Sequence, residues 1–243
     1  MAIGAGRAFA DLHCHSSASF DSLSRPDKLI AKARRIGLTH LAITDHERID
    51  GAQRARDLAP AGLTIIVGEE VRTSGGDLIG LFLDRAVPPG MSPVETAAAI
   101  HDQGGLVGLP HPFDRYRSSG GDQAAADAGI AALAAAVDYV EIHNARAYGN
   151  ANPLAAEFAK RHGLPGVASS DAHAVMELAV AYTVLAGPFS TAAELRALLP
   201  PVDLVTGRAS YLIRLWTPAA KVVQRLRGNG RVRPAVAASG KGA

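Results

Sequence analysis

Short apolar runs of β character alternate along the chain with stretches whose apolar residues recur every three to four positions. That is the pattern of βα units around a parallel sheet. Strands are expected at 8–13, Leu38–Thr44, Leu63–Val67, Leu78–Leu83, Gly105–Leu109, Val137–Ile142, Pro165–Ala168 and Ala181–Leu185. The helices between them carry their own punctuation. Pro26 opens the first, which passes Arg34 and Arg35 and stops at Gly37. Asp50–Leu58 is a short one, and Ser92-Pro93-Val94-Glu95 is a capping box that starts another, running to Gln103. A polar loop over Pro110–Gly121 leads into the alanine-rich 123–136, helical by propensity. A helix over 151–162 closes at Gly163, and one near 191–199 ends the regular pattern. Seven or so such units without a sequence repeat predict a barrel-like α/β domain.

The pattern weakens after Gly207. This divides the chain into a compact domain over 1–207 and an extension over 208–243, in part helical and then disordered. Tyr211–Trp216 is apolar enough to pack on the body, and 218–227 has the makings of a basic helix. Charge sharpens the division. The net charge is only +2, yet the extension carries Arg208, Arg214, Lys221, Arg225, Arg227, Arg231, Arg233 and Lys241 with no acid. The rest holds 17 Lys and Arg against 23 Asp and Glu. An acidic body suits cations, and a basic tail suits either phosphates or solvent.

The 243 residues are enough for one sizeable core. No apolar run reaches the length of about eighteen residues that a membrane span needs, and no signal peptide is visible, so the cytoplasm is expected. The single cysteine, Cys14, fits a reducing compartment and reads as a small buried residue.

Candidate chemistry gathers where strands end, the place where parallel barrels collect functional groups. His13 and His15 close the first strand, with alternation sending both imidazoles to one side and Cys14 to the other. Asp45-His46 close the second, Gly68-Glu69-Glu70 the third, and Pro110-His111-Pro112 follow Leu109. Glu141, His143 and Asn144 lie near the end of a later strand, and Asp171 and His173 follow Ala168. Imidazole and carboxylate without thiolate suit Mn²⁺, Zn²⁺ or Fe²⁺. The ligand-type groups exceed one metal's needs, so a bridging carboxylate shared by two or three cations is expected. His40, at the start of its strand, and His101 and His162, near helix ends, are assigned to structure. No Walker loop and no Gly-x-Ser-x-Gly elbow is present.

Asp11-Leu12-His13-x-His15, Ile43-Thr44-Asp45-His46, Gly68-Glu69-Glu70, His111-Pro112 and Ser169-Ser170-Asp171-Ala172-His173 together resemble the ordered motifs of the PHP (polymerase and histidinol phosphatase) superfamily of metal-dependent phosphoesterases. The likeness covers roughly residues 9–200. It implies a distorted (β/α)7 barrel with a two- or three-metal centre on one rim, here with a short basic C-terminal extension. By position it implies that His13, His15 and Asp171 hold a first metal and that Glu70 bridges to a second held by His111. His46 and His173, helped by Asp21, would hold a third, and His13, His15, Glu70, Asp171 and His173 would be the catalytic set. The sequence departs from the pattern twice. Asp21 comes six residues after His15 where the family's ligand comes five after, so Phe20 has to bulge. Asp77 stands before Leu78-Ile79-Gly80-Leu81 where many members have His; aspartate can also ligate, so a second metal harder and weaker in its preferences, or only partly occupied, is expected.

Asp11 and Asp45 are candidates for orienting imidazoles, Asp45 equally for a plain turn. Arg115, Arg117 and Arg146 are candidate phosphate forks, and His143 and Asn144 candidate contacts to substrate. The resulting expectation is a metal-dependent phosphoesterase acting on a small-molecule or terminal phosphate ester (nucleotide, sugar phosphate or oligonucleotide end) by metal-activated water. A hydrolase of a non-phosphate ester on the same metals is one rival, and a nucleic-acid-binding module with a vestigial metal site is another. The expected partner is a phosphorylated small molecule, with nucleic acid as the alternative and no membrane.

Overall fold

The computed structural model describes residues 6–114, 133–214 and 216–232. The described strands, in chain order, are β1 (Ala8–Asp11), β2 (His40–Ile43), β3 (Thr64–Thr73), β4 (Gly76–Leu81), β5 (Leu106–Leu109), β6 (Tyr139–Asn144), β7 (Gly166–Ser169), β8 (Ala181–Leu185) and β9 (Asp203–Thr206). They form one sheet in the order β7-β6-β5-β4-β3-β2-β1-β8-β9. The sheet curls into a nearly closed barrel, and the seam between β7 and β8 is sewn by a side chain. Thr183 Oγ1 accepts from Ala168 N at 3.0 Å and donates to Ala168 O at 2.9 Å, standing in for a backbone ladder.

Alternation within the strands builds the interior. Ala8, Ala10 and Leu12, Ala42, Ile66, Ile79 and Leu81, Leu106, Tyr139, Val167 and Leu185 form one buried cluster to which eight strands contribute. A second cluster lies between sheet and helices, where α1 (Pro26–Ile36), α2 (Asp50–Leu58), α3 (Pro93–His101) and α4 (Ala151–His162) supply Leu29, Ala52, Ile100 and Phe158 among others. The helices begin and end as their residues dictate. Pro26 stands in the first turn of α1 and Gly37 caps it in the left-handed region (φ 84°); Ser92 and Glu95 form the expected reciprocal capping box; Gly163 ends α4 at φ 67°.

The parallel expectation fails at β4, β8 and β9, which run antiparallel to their neighbours. Thr73 and Gly76 pair across a two-residue turn at Ser74-Gly75, so β3 and β4 are a hairpin and not two ends of a βα unit. β3 is also longer than expected, which carries Glu69 and Glu70 inside a strand. β9 was not foreseen; its four residues are short and half exposed at the sheet edge. The helix α5 (Ala192–Leu198) joins β8 to β9. The apolar stretch 211–216 does not bury as expected, since Leu212 and Trp216 are 79% and 51% exposed. A basic helix does follow, α7 (Trp216–Leu226), after the single turn α6 (Tyr211–Arg214). The loop 115–121, most of the alanine-rich stretch and the disorder expected near the C-terminus lie outside the described residues. No helix among the described residues is long and apolar enough to cross a membrane.

Candidate metal centre

The rim at the C-terminal ends of β1, β2, β5, β6 and β7 gathers the imidazoles and carboxylates. Regular pairing of β1 stops at Asp11, so His13 and His15 are not carried by strand alternation. The segment beyond Asp11 stays extended, with Cys14 bridging Ala172 in parallel and burying its thiol against Ala42 O at 3.2 Å. Both histidines nevertheless face the rim centre. His46 follows β2 and is bridged to Glu70, while His111 follows β5. His111 (φ 30°) and Asp171 (φ 51°) both hold left-handed backbone that non-glycine residues seldom adopt, a conformation concentrated at functional sites.

Two donor groups result. His13, His15 and Asp171 offer atoms all within 4.8 Å of one another, and so do His15, Asp21, His46 and His173. His15 belongs to both. The extra residue before Asp21 is absorbed in the turn over 17–21, and Asp21 Oδ2 reaches His46 Nε2 and His173 Nε2, each at 3.3 Å. Glu70 lies between the groups. Its Oε2 is 3.4, 3.3 and 3.3 Å from His13 Nε2, His15 Nε2 and His46 Nδ1, and its Oε1 is 3.2 Å from His111 Nε2. Pleating sends Glu69 the other way, where its carboxylate accepts from Val87 N at 2.7 Å and burial raises its pKa to about 8.

These residues fit divalent cations. His13 Nε2 and His15 Nε2 stand 3.1 Å apart, and Asp171 Oδ1 is 3.6 and 3.4 Å from them. Ligand atoms about 2.1 Å from a shared ion are separated by roughly 3 to 3.5 Å. His15 Nδ1 is buried without a hydrogen-bond partner among the described residues. Charge tells the same story. Burial alone would lower the pKa of His13, but Glu141 and Glu70 outweigh it and raise it to about 10. Burial likewise opposes charge on His46, yet Glu70 and Asp21 lift it to about 9. Burial drives His15 down to about 4 and His173 well below its ordinary value. The buried carboxylates thus draw positive charge towards His13 and His46, charge that bound cations would supply instead.

A supporting layer fixes the donors. His13 donates Nδ1–H to Glu141 Oε1 at 2.9 Å, which turns the Nε2 lone pair inward. Despite burial, His13 beside it holds Glu141 down at about 2. Asn144 donates Nδ2–H to Glu141 Oε2 and to Asp171 Oδ2, each at 3.0 Å. Glu177 accepts from the backbone of His173 and Ala174 and from Arg146 Nη1. Sequence reasoning placed Glu141 among the strand-end groups without assigning it a partner, and gave Glu177 no role. Asp11 and Asp45 do not orient imidazoles. Asp11 accepts from Ser170 N and Ala179 N, and Asp45 ties down Ser16 through its N–H and hydroxyl, both at 2.6 Å.

The donors open onto a cleft of about 380 Å³ that also contains Phe20, Asp77, Arg146, Tyr148, Thr217, Lys221 and Arg231. Asp77 lines the wall but joins neither donor group, and Arg231 Nη2 stands 4.0 Å from it. Arg146 is buried, bonded to both oxygens of Glu177 and to Thr217 Oγ1 at 2.8 Å. His143 is directed elsewhere, donating Nε2–H to Gly207 O at 2.8 Å. Arg115 and Arg117 lie outside the described residues.

Residues 11–108 match the PHP domain, and residues 149–199 match the PHP-associated PHP_C family. The uncharacterized protein MJ0417 of Methanocaldococcus jannaschii is 33% identical over 175 residues, 71% of this chain and 68% of that protein. Among solved structures, a two-domain protein from Bacteroides vulgatus containing a predicted PHP-like metal-dependent phosphoesterase superposes with a TM-score of 0.65 at 19% identity, over 80% of this chain and 62% of that one. The lesion-specific endonuclease Q of Pyrococcus furiosus superposes at 0.59 and 16% identity, over 80% of this chain and 56% of the nuclease. The chain therefore spans less than two thirds of either solved neighbour. With residues 11–108 and 149–199 matching these two families and the barrel shared with these structures, the chain belongs to the PHP superfamily.

Proposed function

We propose that the protein is a metal-dependent phosphoesterase that hydrolyses a small-molecule or terminal phosphate ester, using two or three Mn²⁺, Zn²⁺ or Fe²⁺ ions. The observation that carries this reading is the position of Glu70, whose two oxygens face separate imidazoles, one towards His111 and the other towards His13, His15 and His46. A carboxylate so placed would hold paired cations between these imidazoles, and such cations would supply an activated water and charge to offset a transferring phosphoryl group.

The chain's own residues prepare that site. Glu141 keeps the His13 proton on Nδ1 and so leaves Nε2 free to ligate. Asn144 spans Glu141 and Asp171, holding both carboxylates in register. Lys221 and Arg231, from the extension, bring positive charge to the cleft mouth, at 5.4 and 5.1 Å from the centre of the Phe20 ring. Lys221 lines the cleft with its ammonium over that ring, where it is placed to meet a phosphate. Burial of the donors keeps bulk water out, which strengthens every charge contact inside.

The test is hydrolysis of p-nitrophenyl phosphate beside a carboxylic p-nitrophenyl ester, with added Mn²⁺. The proposal expects turnover of the phosphate, lost in His13→Ala and Glu70→Gln variants that keep native circular dichroism. Turnover of the carboxylic ester alone, or full activity in either variant, would overturn it. A 5′-phosphorylated oligonucleotide in the same assay separates a nucleic-acid end from a small metabolite. The likeness of the fold to endonuclease Q makes that arm worth including.

A further inference from the structure

The C-terminal extension, besides bringing Lys221 and Arg231 to the cleft mouth, grips the loop that carries Asp21. Thr217, Lys221 and Gln224 fall three and four residues apart, on one side of α7. Thr217 accepts from Arg146, Lys221 overhangs Phe20, and Gln224 turns into the barrel rim and is only 2% exposed. Its Nε2 sits 2.8, 2.9 and 2.7 Å from the carbonyls of Ser17, Ser19 and Ser22. Two hydrogens therefore serve three acceptors, all from one turn of backbone. Asn229 Nδ2 adds a fourth, Ala18 O at 2.9 Å, and is itself steadied by Arg48 Nη1 on its Oδ1 at 2.8 Å.

That turn is the one that aims Asp21. Ser19 donates its hydroxyl to Asp21 Oδ1 at 2.7 Å, and Ser22 Oγ lies between the carbonyls of His15 and His173. The carbonyl cage around Gln224 thus holds the backbone on both sides of Asp21, whose other oxygen faces His46 and His173. Loop carbonyls curled towards one point repel each other unless a donor sits among them.

We propose that Gln224 is a positioning residue for the cation held by Asp21, His46 and His173, so that this ion, unlike the one at His13, His15 and Asp171, depends on the C-terminal extension. The inference rests on the metal-centre reading above and makes a separate claim about how one donor group is kept in shape.

The experiment is Mn²⁺ titration of the full chain by calorimetry, with bound metal counted by elemental analysis. Gln224→Met keeps length and volume but removes the donors. It is expected to weaken one Mn²⁺ equivalent about tenfold while the others hold. Gln224→Lys, which restores N–H donors, is expected to recover most of the loss. His46→Ala serves as the control and should remove the same equivalent. If His46→Ala costs no equivalent, the metal-centre reading fails. If His46→Ala costs one and Gln224→Met titrates like the wild type, this inference alone fails, even where Gln224→Met melts at a lower temperature. Should Gln224→Met not fold, Asn229→Ala carries the test. It removes the Ala18 bond, the 3.5 Å contacts to the Ser17 and Ser19 carbonyls and the oxygen that Arg48 bonds, and is expected to weaken the same equivalent; an unchanged titration overturns the claim.

Discussion

His13 and Glu141 are 128 residues apart in the chain and meet at 2.9 Å, Nδ1 to Oε1, with neither side chain exposed. The pair is the chief reason that one imidazole in a crowd of them presents a defined lone pair to the rim. Glu141→Gln keeps the shape but offers no charge to steady the bond. The variant is expected to lose about 10- to 100-fold in affinity for the ion at His13. Competition against a fluorescent chelator measures this, and an affinity within twofold of the wild type would refute the role.

Lys221 stands at the cleft mouth with Phe20 beneath it. Removing its charge should weaken substrate binding and leave the chemical step intact. Lys221→Met is expected to raise KM for p-nitrophenyl phosphate about fivefold, equivalent to ~1 kcal/mol, with kcat nearly unchanged. Lys221→Arg should keep most of the affinity. A fall in kcat at constant KM would contradict a binding role.

Gly51, in the first turn of α2, leaves room for the Asp45–Ser16 pair. A methyl group there would collide with Asp45, with the Ser16 hydroxyl and with Ala18. All of these are buried, so the strain cannot be relieved by swinging into solvent. Gly51→Ala should therefore destabilise the fold by ~1–3 kcal/mol, although alanine is the better helix former. Urea unfolding in the presence of chelator reads this directly.

His40 is a structural histidine at the other end of the barrel. Its Nε2 bonds Phe189 O at 2.7 Å, Thr39 Oγ1 donates to its Nδ1 at 2.8 Å, and its ring stacks on Phe189 with centroids 4.0 Å apart. Burial holds its pKa below the ordinary 6.5, against a weaker pull from the Phe189 carbonyl. The unfolded chain takes up this proton first, so the contribution is whole above pH 6.5 and is lost as the pH falls towards the folded value. In chelator, the wild type should lose more melting temperature between pH 7.5 and about 5.5 than His40→Gln does. Parallel curves for the two proteins would exclude the linkage.

Much of this was legible in the residues themselves. Pro26, Gly37, Gly163 and the Ser92–Glu95 box mark helix ends because each satisfies or forgoes a particular backbone bond. The histidines and carboxylates stood out because they fall where apolar runs stop. The direction of β4 was readable too, since Ser74-Gly75 between two apolar runs is a hairpin signal; the regular alternation of strands and helices elsewhere masked it. Other features depend on distance in sequence and could not be read. Nothing near Glu141 says that it will meet His13. The left-handed backbone at His111 and Asp171 follows from what surrounds them. The face of α7 bearing Thr217, Lys221 and Gln224 looks in sequence like any solvated helix face, and only its seat on the serine turn gives it a purpose.

The last two strands settle where the chain can be extended. β8 runs down beside β1 and β9 climbs back, so residue 207 emerges at the open pole, near His143, while the segment ahead of β1 leaves from the closed one. A reporter or affinity handle joined ahead of β1 would trail away from the cleft. One inserted next to Val232 would adjoin Arg231, which lines the cleft wall.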